Sequence, residues 1–355
     1  MRNAQSAATP SDSHPLSGAQ LSGAEMIVQV LADEGVDTIF GYSGGAILPT
    51  YDAIFRYNAD NHDQMPLIVP ANEQGAGFMA AGYARASGKV GVAMVTSGPG
   101  ATNCVTPVRD CMADSVPIVL ICGQVARAAV GTDAFQEAPV SNIFSAAAKH
   151  VFMVTDPDKL EATVRTAFEI ARSGRPGPVV IDVPKDVQNW EGAYRGRGLL
   201  AVPGYRQRMR ALRESQLTDD KCARLFELLA QAERPLIYAG GGVINADAAS
   251  ELSAFAQAFG IPVVTTLMGI GAFDTTDALS LHMLGMHGTA FANYAVEDCD
   301  MLIAVGARFD DRVTGDLEKF CPDAKIVHID IDPASISKNV PVDVPIVGSV
   351  SNVLE

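Results

Sequence analysis

The hydrophobic pattern of the first half of the chain is a series of short, largely apolar runs: Val36–Phe40, Leu67–Val69, Val90–Val95, Pro117–Cys122 and Pro178–Val183. Most are continuous rather than alternating, which predicts strands covered by helices on both faces of a parallel sheet. The intervening segments carry helical periodicity. Ser22-Gly-Ala-Glu25 has the form of a capping box and is followed by Met26, Ile27, Val30 and Leu31 at helical spacing. Further helices are expected from Gln74 and near 157–172. Residues 188–215 break this rhythm with Gly, Pro, Trp190 and a run of arginines. A second series then follows: helix 217–232, strand 235–239, helix 246–259, and strands 263–266, 301–305 and 326–330. The fold class is therefore α/β, with two doubly wound parallel-sheet domains. The expected division is a disordered leader at 1–20, a first domain at 21–187, a connector at 188–215 and a second domain at 216–355. Residues 347–355 read as a strand end, a turn and one turn of helix. A single turn is not stable alone, so the domain is expected to continue past Glu355.

Composition supports two cores, with 48% hydrophobic residues in 355. A net charge of −15 argues against nucleic acid or an anionic membrane as partner, since both require clustered positive charge. The local exception is Arg195, Arg197, Arg206, Arg208, Arg210 and Arg213. These suit either a solvated connector or a contact with an acidic partner or ligand phosphate. The six cysteines form no CxxC pair, as expected of reduced thiols rather than disulfides or a zinc site. No apolar run approaches the ~18 residues of a membrane span. The first twenty residues, rich in Ser, Ala and Pro, lack the apolar core of a signal peptide. A cytoplasmic location is expected, with an organellar leader as the second choice.

Three Gly-rich or acidic turns carry candidate chemistry. Residues 39–54, IFGYSGGAILPTYDAI, read as strand, tight turn and helix. That layout suits a phosphate cradle, a close approach to another ligand, or a plain corner. In Pro70-Ala-Asn-Glu73-Gln-Gly-Ala-Gly77 a carboxylate follows a strand at the start of an Ala/Gly-rich helix. It could meet a ligand beyond the strand ends, or merely favour the helix dipole. Thr96-Ser-Gly98-Pro-Gly-Ala-Thr-Asn103 is a further strand-to-helix turn offering backbone, hydroxyl and amide groups.

Taken in order, GYSGGA, ANEQGAGFMAAGYAR, TSGPGATN, GTDAFQE and RPGPVVIDVPKD resemble the thiamine-diphosphate-dependent enzymes. Within them the chain is most similar to the catalytic subunits of acetolactate synthases, from about residue 20 to its end. The resemblance implies a first domain that binds the cofactor's aminopyrimidine, with the carboxyl group of Glu73 on a ring nitrogen. Proton sharing there favours the imino tautomer that takes the thiazolium C2 proton. It also implies decarboxylation of pyruvate and carboligation to a second 2-oxo acid, pyruvate or 2-oxobutyrate, in branched-chain amino-acid synthesis. Gly44, Gly45 and Ala46 would line the site, Gly98 and Asn103 the cofactor, and Gln136 the bound intermediate. Phe135 and Lys185 match the substrate entrance, although Phe135 also reads as ordinary packing and Lys185 as a surface charge.

The second half is similar to the family's central domain, which in acetolactate synthases carries FAD in a structural role. The resemblance places flavin contacts at Arg175, Gly240, Gly241, Thr266, Leu267, Met286, His287, Gly288, Gly306, Arg308, Asp310, Arg312, Val313, Asp330 and Ile331. Glycines there would admit the pyrophosphate, arginines offset its charge, and an acidic residue suits a ribose hydroxyl. The chain departs from the family pattern at Ser43 and Ala126, where Pro is usual, and at Ser349, where Asp is usual. Ser43 is expected to cap a helix starting at Gly44 or Gly45. The family holds the diphosphate through Mg²⁺ in a third domain with a GDG motif, which this sequence lacks; no metal ligand is expected in the chain itself. The resemblance further implies a homodimer or larger homo-oligomer, with a small regulatory subunit as an option. Other readings are a different thiamine-diphosphate carboligase or decarboxylase, or a non-catalytic nucleotide-binding protein.

Overall fold

A computed structural model describes residues 14–213 and 217–355. The chain divides into two compact units, one ending at Ala201 and the other starting at Val202.

The first unit begins with β1 (Gln20–Ser22), α1 (Gly23–Asp33), β2 (Ile39–Tyr42), α2 (Leu48–Asp60), β3 (Leu67–Ile68) and α3 (Glu73–Ser87). It continues through β4 (Gly91–Val95), α4 (Pro99–Thr102), α5 (Val105–Asp114), β5 (Ile118–Gln124), α6 (Val140–Phe144) and β6 (His150–Met153). It closes with α7 (Leu160–Arg172), β7 (Val179–Pro184), α8 (Lys185–Gln188) and β8 (Glu191–Ala193). Six strands form one parallel sheet in the order β3-β2-β4-β5-β7-β6. Its central strands β4, β5 and β7 are buried along their whole length, which is why their sequences show no alternation. On one face α3, α5 and α6 pack Ala76, Ala80, Val108, Cys111 and Phe144 against Ala93, Leu120 and Val180. Small residues let α3 lie close: a Cβ on Gly77 would sit 2.5 Å from Pro107, and one on Gly91 would sit 2.1 Å from the Ala80 carbonyl.

The capping box forms as read: the Ser22 amide donates to Glu25 Oε2 at 2.8 Å and the Glu25 amide to Ser22 Oγ at 3.2 Å. Other boundaries shift for local reasons. The strand expected over 36–40 runs from Ile39 to Tyr42, because Gly35 turns at φ 74° and the Val36 amide closes α1 on Leu31. α3 starts at Glu73 because Asn72 accepts from the Gly75 amide at 2.8 Å. α2 starts at Leu48 with no side-chain cap, so Ser43 does not cap it. The peptide at Ala46 is instead held from both sides, its N–H by Thr96 and its C=O by Gln188.

Of the residues read as a leader, 1–13 lie outside the described residues. His14 stacks edge-on against Tyr194 and bonds Asp33 at 3.1 Å. Within the stretch read as a connector, β8 pairs antiparallel with β1, and Tyr194 is buried. The Tyr194 hydroxyl donates to Asp33 at 2.6 Å and accepts from Arg165 at 2.6 Å. Arg165 also pairs with Asp33 and with Glu161. A buried ionic cluster therefore ties α1, α7 and the chain after β8 together.

The second unit contains α9 (Tyr205–Arg213), α10 (Asp219–Gln231), β9 (Pro235–Ala239), α11 (Gly241–Asn245), α12 (Ala249–Phe259), β10 (Val263–Thr265) and β11 (Ser280–Met283). It ends with α13 (Ala290–Asp298), β12 (Met301–Val305), α14 (Asp311–Thr314), β13 (Lys325–Asp330), β14 (Val344–Val347) and α15 (Val350–Leu354). Its parallel sheet has the order β11-β10-β9-β12-β13-β14. Counted within the unit, this is the 3-2-1-4-5-6 order of dinucleotide-binding sheets, with the switch point between β9 and β12. Separate cores cover the two faces, one built on Ile237, Ile303 and Leu252, the other on Tyr238, Leu302 and Val296. The helix expected over 246–259 starts at Ala249, since Asp247 turns at φ 53° between α11 and α12. The arginines of α9 are described except for the Arg213 side chain, which lies outside the described residues. Among the described residues, no helix is long and apolar enough to cross a membrane.

Candidate active site and nucleotide crevice

In the first unit, ligands would meet the carboxyl ends of β2, β3 and β4, and the three motif turns lie there. Glu73 is the first residue of α3 and is 9% exposed. Its Oε2 accepts from Asn103 Nδ2 at 2.9 Å, and its carbonyl accepts from the Cys104 thiol at 3.4 Å. A Cβ on Gly100 would lie 3.7 Å from Glu73 Oε1, ordinary contact, and 2.8 Å from the Thr96 methyl, so glycine here lets the turn pack closely on Thr96 beside the carboxylate. Burial, with the Glu73 charge as second cause, pushes the Cys104 thiol up to about 12. It likewise raises the Tyr51 hydroxyl well above its ordinary range. Neither neighbour therefore competes as an anion, and Tyr51 donates to the Met94 carbonyl at 2.9 Å.

Thr96 joins two of the turns. Its hydroxyl accepts the Ala46 amide at 3.2 Å, and a Cβ on Gly44 would lie 2.5 Å from its methyl. Gly44 thus serves close packing on Thr96, whereas a Cβ on Gly45 would meet nothing within 4 Å. The open position in this turn is Gly45. Gly98 has φ 55° and ψ −114°, and a Cβ on it would strike the Gln136 carbonyl at 2.5 Å. That contact brings the Gln136 segment onto the TSGPG turn, with Gln136 itself at φ 58°. Phe135 is 89% exposed, so packing among the described residues does not account for it. Lys185 is exposed at the start of α8 and opens onto a surface hollow shared with Leu48, Asp52 and Arg56. Arg175, also in this unit, donates to Ser115 Oγ at 2.8 Å and to the Ala113 carbonyl at 3.1 Å, at the carboxyl end of α5.

Thr96 of the TSGPG turn and two residues outside the motifs, Gln188 and Gln124, also shape this site. Thr96 and Gln188 hold the Ala46 peptide, and Gln124 donates to the Ala138 carbonyl at 3.0 Å. No pattern in the sequence marks a buried amide such as Gln188, whose partners Ala46 and Thr50 lie more than a hundred residues away.

In the second unit, the turns after β9 and β12 meet at the switch point. A Cβ on Gly240 would lie 2.2 Å from the Gly306 carbonyl, and one on Gly242 would lie 2.6 Å from the Gly306 Cα. Gly306 itself turns at φ 56°. Part of the glycine run is therefore explained by backbone-on-backbone packing, and a Cβ on Gly241 would lie 3.0 Å from the Met268 Cβ. Thr266 caps the next turn, accepting the Gly269 amide at 2.9 Å. It presents Leu267, which is 70% exposed. The Met286 amide donates to the Arg312 carbonyl at 2.9 Å, so the segment with Gly285, Met286, His287 and Gly288 lies beside Arg312 and Val313. Arg308 pairs with Asp310 at 2.9 Å. At the end of β13, Asp330 Oδ1 accepts the Asp332 amide at 2.7 Å, one residue past Ile331. His328 is fully buried and bonds the Ala307 carbonyl at 2.8 Å. Burial lowers its pKa, so a neutral ring fixes the Ala307–Phe309 segment on β13. Ser349, one of the departures, faces Ser351 at 2.9 Å at the start of α15.

The two parallel sheets, with glycine turns at their strand ends, define a doubly wound α/β class of ligand-binding protein, and comparison with known proteins narrows it. Residues 21–155 match the model for the thiamine pyrophosphate enzyme N-terminal TPP-binding domain, and residues 222–355 match that for the central domain. The chain belongs to the thiamine pyrophosphate enzymes. More particularly, it is 48% identical over 335 residues to the acetolactate synthase large subunit of Corynebacterium glutamicum, covering 94% of this chain and 52% of that protein. It is 50% identical over 337 residues to the probable acetolactate synthase large subunit of Methanocaldococcus jannaschii, covering 94% of this chain and 55% of that protein. It is 46% identical over 339 residues to the chloroplastic acetolactate synthase of Arabidopsis thaliana, covering 94% and 48%. The chain spans about half the length of the curated relatives it matches.

Proposed function

We propose that the chain supplies the aminopyrimidine-activating and flavin-binding parts of an acetolactate synthase, acting on pyruvate and a second 2-oxo acid. The observation that carries this reading is the buried Glu73 carboxylate at the start of α3, with Asn103 on Oε2 and glycine at position 100 facing Oε1. Thiamine diphosphate would supply the carbon nucleophile and the electron sink for decarboxylation. The chain's own part is to hold and move one proton. Asn103 orients the carboxyl group, Gly100 lies next to it, and Gly98 lets the backbone of Gln136, next to the exposed Phe135, close on the TSGPG turn. Lys185 offers a positive charge to an approaching 2-oxo acid carboxylate.

The central unit suits FAD: its 3-2-1-4-5-6 sheet has a switch point between β9 and β12, where such sheets bind dinucleotides, with Arg308 just after β12 and Asp330 at the end of β13 offered to the pyrophosphate and a ribose. Mg²⁺ and the diphosphate would be held by the region that the longer relatives possess. Exposed Phe78 and Met79 on α3, with Phe55, Val69 and Phe135 elsewhere on the first unit, favour a homo-oligomer or another protein surface covering part of this unit. A small regulatory subunit fits the same picture. The six free cysteines favour a reducing, cytoplasmic setting. The test is Glu73→Gln in an enzyme that includes the C-terminal region of the relatives. Acetolactate formation should be lost while flavin stays bound; retained turnover removes Glu73 from its role.

A further inference from the structure

Three side chains of the one-turn helix α8 serve different parts of the proposed entrance. Lys185 is exposed. Asp186 accepts the Arg127 amide on Oδ1 at 2.9 Å and Arg127 Nε on Oδ2 at 2.7 Å, while Arg127 also donates to the Thr155 carbonyl at 2.9 Å. This pins the start of the segment that carries Phe135 and Gln136. Gln188 is fully buried. Its amide donates to the Ala46 carbonyl at 2.8 Å and the Val183 carbonyl at 3.0 Å, and its oxygen accepts from Thr50 Oγ1 at 2.9 Å. Both amide hydrogens are thus spent, one of them on the turn that exposes Gly45. A buried amide left without partners is costly, so this geometry is strongly held. The helix itself continues directly from β7, a central strand of the sheet.

We propose that Asp186 and Gln188 are positioning residues that set two walls of the substrate entrance, the Phe135–Gln136 segment and the Gly45–Ala46 turn, at a fixed placement relative to Lys185. The proposal rests on reading these segments as the entrance. Neither residue reaches into the site. Each acts through the backbone it holds.

Hydrogen exchange on the 355-residue chain tests the mechanical part. Asp186→Ala should speed exchange in 127–138 and leave 44–47 unchanged. Gln188→Met, which keeps the volume but not the donors, should do the reverse. Asp186→Asn, still able to accept the Arg127 amide, should restore part of the protection. Exchange that is unchanged at the walls, or raised equally in β4 and β5, overturns the proposal. Steady-state kinetics in an enzyme with the relatives' C-terminal region test the functional part. The two loosening variants should raise KM for the 2-oxo acid roughly three- to tenfold, the scale of one lost hydrogen bond, with kcat held within about twofold. Loosened walls with an unchanged KM overturn the entrance role. An unsubstituted enzyme that makes no acetolactate would instead sink the reaction assignment and leave the exchange result intact.

Discussion

Gly98 and Gln136 meet backbone to backbone: a methyl group on Gly98 would lie 2.5 Å from the Gln136 carbonyl oxygen. Gly98 also sits at φ 55°, ψ −114°, outside the regions open to alanine. Gly98→Ala is therefore expected to cost about 1–3 kcal/mol from backbone strain and to push the Gln136 segment away from the TSGPG turn. Denaturant unfolding gives the first quantity, and exchange at 131–138 the second. Unchanged stability would show that the turn relaxes freely.

Asp182 is buried in β7. Its Oδ2 accepts from Gln124 at 3.1 Å, and Oδ1 has no hydrogen-bond partner among the described residues. Burial raises its pKa to about 7. Because the folded state holds the proton more tightly than the unfolded chain, Asp182 favours folding at low pH. That contribution is lost as pH rises from about 4 through 7. The span corresponds to a few kcal/mol, on the order of 1.4 per pH unit. Asp182→Asn should flatten the stability profile over this window, as measured by urea unfolding at pH 5 and pH 8. An equal slope in both proteins would mean that Asp182 titrates normally.

Arg165 stands between Asp33 and Glu161, and all three are largely buried. Arg165→Met removes the cation and leaves the carboxylates facing each other, so a loss of about 3–5 kcal/mol is expected. Arg165→Lys should recover only part, because an ammonium group cannot span Asp33, Glu161 and Tyr194 as the guanidinium does. A melting temperature unaffected by Arg165→Met would contradict this account of how the segment after β8 is fastened.

Purified chain is expected to bind FAD through its central unit, with a visible flavin absorbance. Arg308→Ala should weaken binding roughly tenfold if the guanidinium meets the pyrophosphate, the scale of one charge-assisted hydrogen bond. Flavin fluorescence titration measures both proteins. Binding that is equal in the two would assign Arg308 only to its 2.9 Å pair with Asp310.

Much of the fold is legible in the sequence. Unbroken apolar runs such as Val90–Val95 announced strands covered on both sides, and the Ser22–Glu25 box marked the start of α1 to the residue. The edge strands β6 and β11 were not legible, since HVFM and SLHM are short and only half-buried, and their pairing depends on the neighbour already in the sheet. Ser43 shows the limit for caps. Its type suits a helix start, but contacts from Thr96 and Gln188 hold the following residues as a turn and delay α2 to Leu48.

What the sequence by itself determined was the two doubly wound units and the positions of Glu73 and the glycine turns at strand ends, because local periodicity and turn chemistry decide those. Only the tertiary structure decided which glycine does what. Gly44 packs on Thr96 and Gly240 on Gly306, while Gly45 faces open space. The difference lies in what approaches each Cα from elsewhere in the chain, and a linear pattern carries no record of that.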